Sequence, residues 1–456
     1  MINDKNNLNL KFRIQNLEFQ KVHFIGCIGP FNQFCITQLL SMGKKVTASE
    51  YSLDQNARQK WEDLGILYKG QHDEKFINKN IDLVIIPNGI LPNNPEIEKA
   101  KDLKIPTLTL GQLTGILSKN YKTIAIAGTH GKTTTTSLII WMLHKLDKTP
   151  NFIVGDKIMQ INQEWNVNPD SKYFVVEACE YKRQFLDRAP NPFISVITNI
   201  DIDHTDYYKD QEDYNSAFVQ FLSSTQEAIV IDAEKENECK VLKQIPQKNI
   251  IEVEKYRKQA YQIKSPLVGT YNKENILKAY CTALALGFSH EQIKAAFVDF
   301  PGVAKRMEFK GKTIQGSPIY LDYAHNPQKV KSCIEGVKEQ FPNKKLIFVF
   351  QPHSHERTYT FRKEFANAVK NADYLLIPNI FKPTREEEKY VKLIDSEQFV
   401  EYITRENKST STFHTEDFVK TVQKIKEIEK IEKDCIIVLA SAGDLYKITQ
   451  ELIEEN

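Results

Sequence analysis

The residues best suited to chemistry lie in the stretch Thr123-Ile-Ala-Ile-Ala-Gly-Thr-His-Gly-Lys-Thr-Thr-Thr-Thr-Ser137, where an apolar, β-branched run meets a glycine turn and a helix-forming segment. Gly128 and Gly131 let backbone N–H groups approach anionic oxygens, and Lys132 adds a point charge. Thr133 or Thr134 can offer a hydroxyl to magnesium, while Thr129 and His130 complete the turn. The loop is shorter than the strict GxxxxGK[ST] pattern, so it reads as a compact phosphate cradle or as a structural strand-to-helix turn.

A second concentration follows two later strands. Glu177 ends one, and Asn199, Asp201, Asp203, His204 and Asp206 follow the other, so oxygen and imidazole ligands could gather round a divalent cation beside a nucleotide phosphate. Cys179 lies close by in sequence without a histidine partner, and reads as a small, partly buried side chain. Further on, Asp322-Tyr-Ala-His-Asn-Pro327 is a polar turn at a strand end, in which either Asp322 and His325 face a ligand or Asp322 and Asn326 cap the turn. Arg357, in Gln351-Pro-His-Ser-His-Glu-Arg-Thr358, suits phosphate recognition. His353 and His355 have no assignable catalytic duty and can simply structure the loop. Lys305 and Arg306 read equally as a domain-closing pair or as surface charge.

The elements that must position these groups form a βα rhythm. Strands are expected at Val22–Cys27, Val46–Glu50 and Asp82–Pro87, with a helix over Phe31–Met42. The Gly26–Gly29 turn with Glu50 beyond it resembles a dinucleotide fingerprint that lacks its third glycine. Residues 1–20 hold a short edge strand at most. After the loop, a helix runs from Thr134 to Leu146, residues 151–170 read as irregular, and strands follow at Tyr173–Ala178 and Phe193–Asn199. Carboxyl ends of such strands are where ligands sit, so Glu177, Asn199 and His204 are expected to face the crevice that holds Lys132. The stretch 232–268 reads as a small β insertion, and helices follow at Asn275–Leu286 and Glu291–Phe297. Pro301-Gly302 breaks the pattern. A third βα series runs from Ile319–Asp322 through Leu346–Phe350 and Tyr374–Ile377 to Ile436–Ala440, with Ile425–Lys433 as a solvated helix face. The expected division is 1–119, 120–299 and 300–456.

Composition narrows the classes. A chain of 456 residues has room for several buried cores, and 61 Lys and Arg against 59 Asp and Glu leave no basic excess to draw nucleic acid. The N-terminus lacks an apolar leader and no long apolar run occurs, which points to the cytoplasm without membrane insertion. Seven scattered cysteines lack CxxC spacing and imply reduced thiols.

Taken together, Ala127–Thr136, Glu177–Phe185, Thr198–Tyr208, Asp322–Pro327 and Gln351–Thr358 closely resemble the motifs of the Mur ligases, in the same order along nearly the whole chain. The resemblance implies an α/β fold of three domains: a Rossmann-like N-terminal domain for a UDP-sugar, a P-loop-type central ATPase domain and a Rossmann-like C-terminal domain that closes over ATP. It implies ATP-dependent amide-bond formation through an acyl phosphate, with magnesium, in two ions, as cofactor. The branch it most resembles joins L-alanine to UDP-N-acetylmuramate; a branch attaching a recycled tripeptide, a ligase for another carboxylate and a non-catalytic nucleotide-binding relative are the alternatives. A monomer or weak homodimer is implied.

By that resemblance Lys132 holds the β and γ phosphates, Thr133, Glu177 and His204 bind magnesium, and Asn275 meets adenine. Arg306 contacts the nucleotide, Asp322 faces the ribose, and His325 and Arg357 face the amino acid and phosphate. Where several relatives carry a carbamylated lysine, fourteen positions after His204, this chain has Phe218, so carbamate chemistry is not implied. The chain departs from the family pattern at Gly26–Phe31, Pro87–Ile90, Tyr271, Asn326 and Ser441–Gly443.

Overall fold

The computed structural model describes residues 14–50, 55–63, 66–68, 70–204, 207–246, 248–383 and 386–453. Most of the edge-strand expectation for residues 1–20, and Asp206, lie outside the described residues. Two compact units are present. One runs to Lys264 and takes in Asn275–Phe300; the other holds Ser265–Glu274 and the chain from Pro301 onward.

The first unit contains two sheets. In the first, β1 (Lys21–Ile25), β2 (Lys45–Ser49), β3 (Leu67–Tyr68), β4 (Leu83–Ile86) and β5 (Thr107–Thr109) pair in the order β3-β2-β1-β4-β5, all parallel. Its apolar strands are covered on both faces, as parallel sheets require. Val22 and Phe24 enter one hydrophobic cluster and Ile25 and Val84 another. His23 lies fully buried on the second face, where its Nε2 is 3.0 Å from Glu96 Oε2 and Ser49 donates to the same oxygen at 2.8 Å.

The second sheet comprises β6 (Lys122–Ala127), β7 (Asn151–Ile158), β8 (Gln163–Asn166), β9 (Tyr173–Glu177), β10 (Ile194–Ile197), β11 (Ala228–Ile231) and β12 (Ile250–Glu252). Its order is β12-β11-β10-β6-β9-β7-β8, so β6 stands between β9 and β10. The carboxyl ends of these three neighbours carry the phosphate loop, Glu177 and the segment 198–204.

Two expectations fail here. Residues 151–170 contain β7 and β8, an antiparallel pair; the surrounding Asn and Gln content hid a short run in which Phe152, Ile153 and Val154 are buried. Residues 232–268 are mainly helical, with Glu236–Leu242 and Arg257–Tyr261 flanking the short β12. Lys–Glu pairs one turn apart, such as Lys240 with Glu236, suit a helix rather than a strand.

The first two sheets share one hydrophobic cluster. Phe34 stacks on Phe174 with centroids 5.0 Å apart, and Gln38 Nε2 donates to Asn151 Oδ1 at 2.9 Å. At Gly115, in the helix Leu110–Ser118, a Cβ would stand 1.9 Å from the backbone oxygen of Asp187, so only glycine permits that helix to approach Gln184–Arg188.

The second unit is built on β13 (Glu308–Lys312), β14 (Pro318–Asp322), β15 (Lys345–Phe350), β16 (Tyr374–Ile377), β17 (Ser411–His414) and β18 (Cys435–Ala440), in the order β13-β14-β18-β15-β16-β17. All pairs are parallel except β13 with β14. The helix Phe418–Ile431 corrects the expectation of a solvated face at Ile425–Lys433. Ile425 and Ile428 are buried, and buried Glu429 accepts a 2.6 Å hydrogen bond from Thr313. No helix among the described residues is long and apolar enough to cross a membrane.

Candidate active site

The loop after β6 owes its shape to two glycines. Gly128 has φ of 129°, and a Cβ there would lie 2.2 Å from Thr198 Oγ1 and 2.7 Å from the backbone oxygen of Asn199. Gly131, at φ of 83°, is the N-cap of the helix Lys132–Lys145, and its Cβ would meet Asn275 Oδ1 at 2.2 Å. No side chain caps that helix, so the N–H groups of its first turn face outward with the positive end of its dipole.

Asn199 clamps the turn. Its Oδ1 accepts from the backbone N–H of Thr129 at 3.1 Å and of His130 at 2.9 Å. Those two N–H groups therefore hold the loop's shape, and the phosphate-facing donors are the later ones, from Gly131 into the helix. Thr129 Oγ1 also joins Asp201 O at 2.5 Å and the Tyr214 hydroxyl at 2.9 Å. Asn275, from the helix Thr270–Ala285, accepts from Thr135 Oγ1 at 3.3 Å and lies against Gly131.

Lys132 Nζ reaches back to Gly128 O at 2.5 Å and Thr129 O at 3.2 Å, and pairs with Glu180 at 3.0 Å. Sequence reasoning missed Glu180, although it stands only three residues after Glu177. Burial of Lys132 works against its charge, but Glu180, Cys179 and Glu177 outweigh it and raise its pKa above the ordinary lysine value. Burial likewise opposes the Glu180 carboxylate, while Lys132 and His204 hold it below the usual range. His204 Nε2 lies 3.5 Å from Glu180 Oε1, and its ring packs on Tyr181 with centroids 4.7 Å apart. Its φ of 55° places His204 in the left-handed region, a local strain that the surrounding contacts sustain.

Glu177 serves a separate position. Its Oε1 accepts from Thr133 Oγ1 at 3.1 Å and its Oε2 from the N–H of Gly155 at 2.8 Å. Gly155, in β7, was also missed; a Cβ there would fall 2.7 Å from Glu177 Oε2. A glycine inside a strand is a signal of such close approach, hidden once β7 was read as irregular. Glu180→Gln would leave Lys132 without its nearest carboxylate, and a loss of about 2–4 kcal/mol in urea-monitored stability is expected. Unchanged stability would show that the pair carries no net weight.

The remaining residues divide by position. Phe218 is buried among Phe185 and Tyr214, an aromatic core position. Cys179 has its thiol pKa raised by burial, unlike an activated nucleophile, and all seven cysteines are free thiols.

In the second unit, Asp322 Oδ2 accepts from Met307 N at 2.9 Å and its Oδ1 from Ala324 N at 2.8 Å. Asn326 caps the helix Pro327–Gln340 through Lys329 N at 2.9 Å. Of the two readings for this turn, capping is what both side chains visibly do. Arg306 lies over the Tyr323 ring, 5.0 Å from its centroid. Arg357 sits in the helix His355–Thr360, capped by Ser354. His355 pairs with buried Glu386 at 2.9 Å and His353 stacks on Phe381, so both organise the loop.

His325 Nδ1 is 2.7 Å from the Tyr323 carbonyl oxygen, which fixes Nδ1–H as donor and leaves Nε2 as the free acceptor. Burial, then the Lys329 charge, push its pKa down to about 3. His325 is thus neutral at physiological pH and acts there as an acceptor rather than an acid. Its folded pKa lies below the ordinary 6.5, so its contribution to stability is complete above that value and is lost as pH falls toward 3. Acid titration of stability in His325→Asn should be flatter over that window; an identical titration would refute the assignment.

The donor set bears on a bound cation. Among the described residues, no group of three or more His, Cys, Asp or Glu side chains is arranged to hold a metal by itself. Thr133 and Glu177 adjoin, and His204 lies against Glu180, three residues after Glu177. Such a partial set fits a magnesium ion that takes its other oxygens from phosphate and water. The Gly128–Gly131 cradle, which a Cβ at either glycine would fill, fits a nucleotide phosphate.

A mostly parallel sheet with a glycine cradle and a largely buried lysine on one strand end, and acidic groups on the two strand ends beside it, defines an α/β protein that handles nucleotide phosphates. The Mur ligase middle domain model matches residues 126–259, and the Mur ligase glutamate ligase domain model matches residues 305–443. The UDP-N-acetylmuramate–L-alanine ligase of Clostridium kluyveri is 33% identical over 457 aligned residues, covering 94% of this chain and 97% of that protein. That of Clostridium acetobutylicum is 31% identical, covering 98% and 100%. Among solved structures, UDP-N-acetylmuramate-alanine ligase of Thermotoga maritima superposes with a TM-score of 0.70 at 21% identity, over 95% of this chain and 98% of that one. A murein peptide ligase from Psychrobacter arcticus gives 0.59 at 20%, over 95% and 98%. The chain belongs to the Mur ligase family.

Proposed function

We propose that this protein joins L-alanine to UDP-N-acetylmuramate, at the expense of ATP, as a step of peptidoglycan precursor synthesis in the cytoplasm. The observation that carries this reading is similarity to the L-alanine ligases over essentially their whole length, with Lys132, Thr133, Glu177 and His204 gathered at one sheet edge. In this reading residues 1–119 hold the sugar nucleotide, 120–299 hold ATP, and 300–456 supply the amino-acid side and close the site. The protein acts as a monomer or weak homodimer.

ATP supplies the phosphoryl group that converts a carboxylate, a poor electrophile, into an acyl phosphate open to attack by the amine. Lys132 neutralises charge on the β and γ phosphates, which requires it to turn from Gly128 O toward the nucleotide. The N–H groups from Gly131 to Thr134 seat phosphate oxygens. Thr133, Glu177 and His204 hold magnesium, and Glu180 orients Lys132 and His204. Asn275 meets adenine, Arg306 the nucleotide and Asp322 the ribose side, while His325 accepts a hydrogen bond and Arg357 faces the phosphate or amino acid.

Phosphate release from Mg-ATP, with UDP-N-acetylmuramate and single amino acids or a tripeptide offered in turn, tests this reading together with product mass. Turnover that requires UDP-N-acetylmuramate and L-alanine supports it. Turnover with the tripeptide alone assigns the protein to the recycling branch, and ATP binding without turnover on either directs the search to another carboxylate.

A further inference from the structure

Arg188 ends the short helix Gln184–Arg188, on the same connection that carries Glu177 and Glu180. Its guanidinium lies over the ring of Phe31, 4.1 Å from the centroid. Phe31 in turn stands at the start of the helix Pro30–Ser41, directly after the Gly26–Gly29 turn of the first sheet. Arg188 therefore bridges the first two sheets at the mouth of the N-terminal glycine turn.

The charge of Arg188 is incompletely answered. A guanidinium has five N–H donors and stays protonated. Its one side-chain hydrogen bond among the described residues runs from Nη2 to the neutral Gln184 Oε1, at 2.6 Å. Among the described residues no carboxylate lies within ion-pair distance; burial pushes its pKa below the usual arginine range, and Cys179, Glu177 and Glu180 oppose that only from longer range. The Gly26–Gly29 turn itself already spends two donors, since Glu50 Oε2 accepts from Cys27 N at 3.0 Å and Ile28 N at 3.2 Å. An anion seated there needs a cation from elsewhere, and the guanidinium stacked on Phe31, two positions past the turn, is such a cation.

We propose that Arg188 reads the diphosphate of the sugar nucleotide, as a central-sheet residue that determines acceptor affinity. This inference rests on the function proposed above. It is a binding role: Arg188 takes no part in phosphoryl transfer, and the planar fork matches two phosphate oxygens at once.

Calorimetric titration without ATP tests it, using UDP-N-acetylmuramate and UDP-N-acetylglucosamine, which shares the diphosphate but lacks the lactyl carboxylate. Arg188→Met is expected to weaken both by about 10- to 100-fold, with Arg188→Lys intermediate. ADP affinity and the melting temperature report whether the variant is folded, and in turnover KM for the sugar nucleotide should rise with kcat nearly unchanged. Wild-type affinity for both ligands in a folded Arg188→Met protein overturns the inference alone. A loss confined to the muramate assigns Arg188 to the carboxylate and also overturns it. Failure of the wild type to bind either ligand overturns the proposed function, and this inference with it.

Discussion

Replacing Lys132 with alanine is expected to lower the rate of phosphoryl transfer from ATP by at least about 10²- to 10³-fold, while leaving binding of the sugar nucleotide largely intact. The reason is positional. Lys132 is the largely buried cation of the cradle, held by two loop carbonyls and Glu180, and among the described residues no other lysine or arginine shares that partner set. In the function proposed above, sugar-nucleotide contacts belong to the first sheet and, in the further inference, to Arg188, so the two functions separate. Single-turnover measurement of phosphate release, beside calorimetry with UDP-N-acetylmuramate, makes the comparison. If turnover persists at the wild-type rate, the cradle assignment is wrong.

The second large effect is expected from Gly128→Ala. The backbone there lies at φ of 129°, which L side chains rarely adopt, and the added Cβ would meet Thr198 Oγ1 at 2.2 Å and Asn199 backbone atoms at 2.7 and 2.9 Å. A hydroxyl can rotate away, but the backbone of the segment after β10 cannot move without releasing Asn199 from Thr129 and His130. A stability loss of about 3 kcal/mol or more, with loss of ATP turnover, is the expected result. Thr198→Ala in the same chain should fail to rescue it, because the Asn199 backbone contacts remain. Rescue by that second change would show that side-chain crowding alone was at fault. Thermal melts with and without ADP distinguish the two.

Much of the architecture was legible from residue order alone. Tyr374–Ile377 is a strand over the expected residues, and the helix at Pro30–Ser41 lies within one residue of the expected Phe31–Met42 at either end. Apolar runs between glycine or proline breaks are a local property, and parallel strands buried on both faces make those runs long and plain. β7 and β8 escaped because the apolar run Phe152–Val154 is short and lies among polar residues, so their partners in the sheet make them strands. The segment Ile425–Lys433 was taken for a solvated face because its charges outnumber its apolar residues, yet a narrow stripe through Ile425 and Ile428 suffices to dock the helix Phe418–Ile431.

The site shows the same division. The types and order of Gly128, Gly131, Lys132, Thr133, Glu177 and His204 were readable because phosphate and cation chemistry demands particular groups at a strand end. Which of them touch was not readable. Glu177 and Glu180 are chemically alike and three residues apart, and only the path of the chain after β9 turns Glu180 to Lys132 and Glu177 to Thr133. The Asn199 clamp depends on β10 lying beside β6, and Gly155 matters only because β7 passes close to Glu177. Asp322, open to either reading in the sequence, proved to be engaged with two backbone N–H groups.

By itself, then, the sequence determined the class of chemistry, the alternation of strands and helices and the strand ends where the reactive groups gather, because each of these follows from side-chain type and short spacing. The tertiary structure decided the pairings: Lys132 with Glu180, Thr129 and His130 with Asn199, and Arg188 with Phe31, which lies 157 positions before it. Such contacts join residues far apart in the chain, and their geometry arises only when the sheets close around a common core.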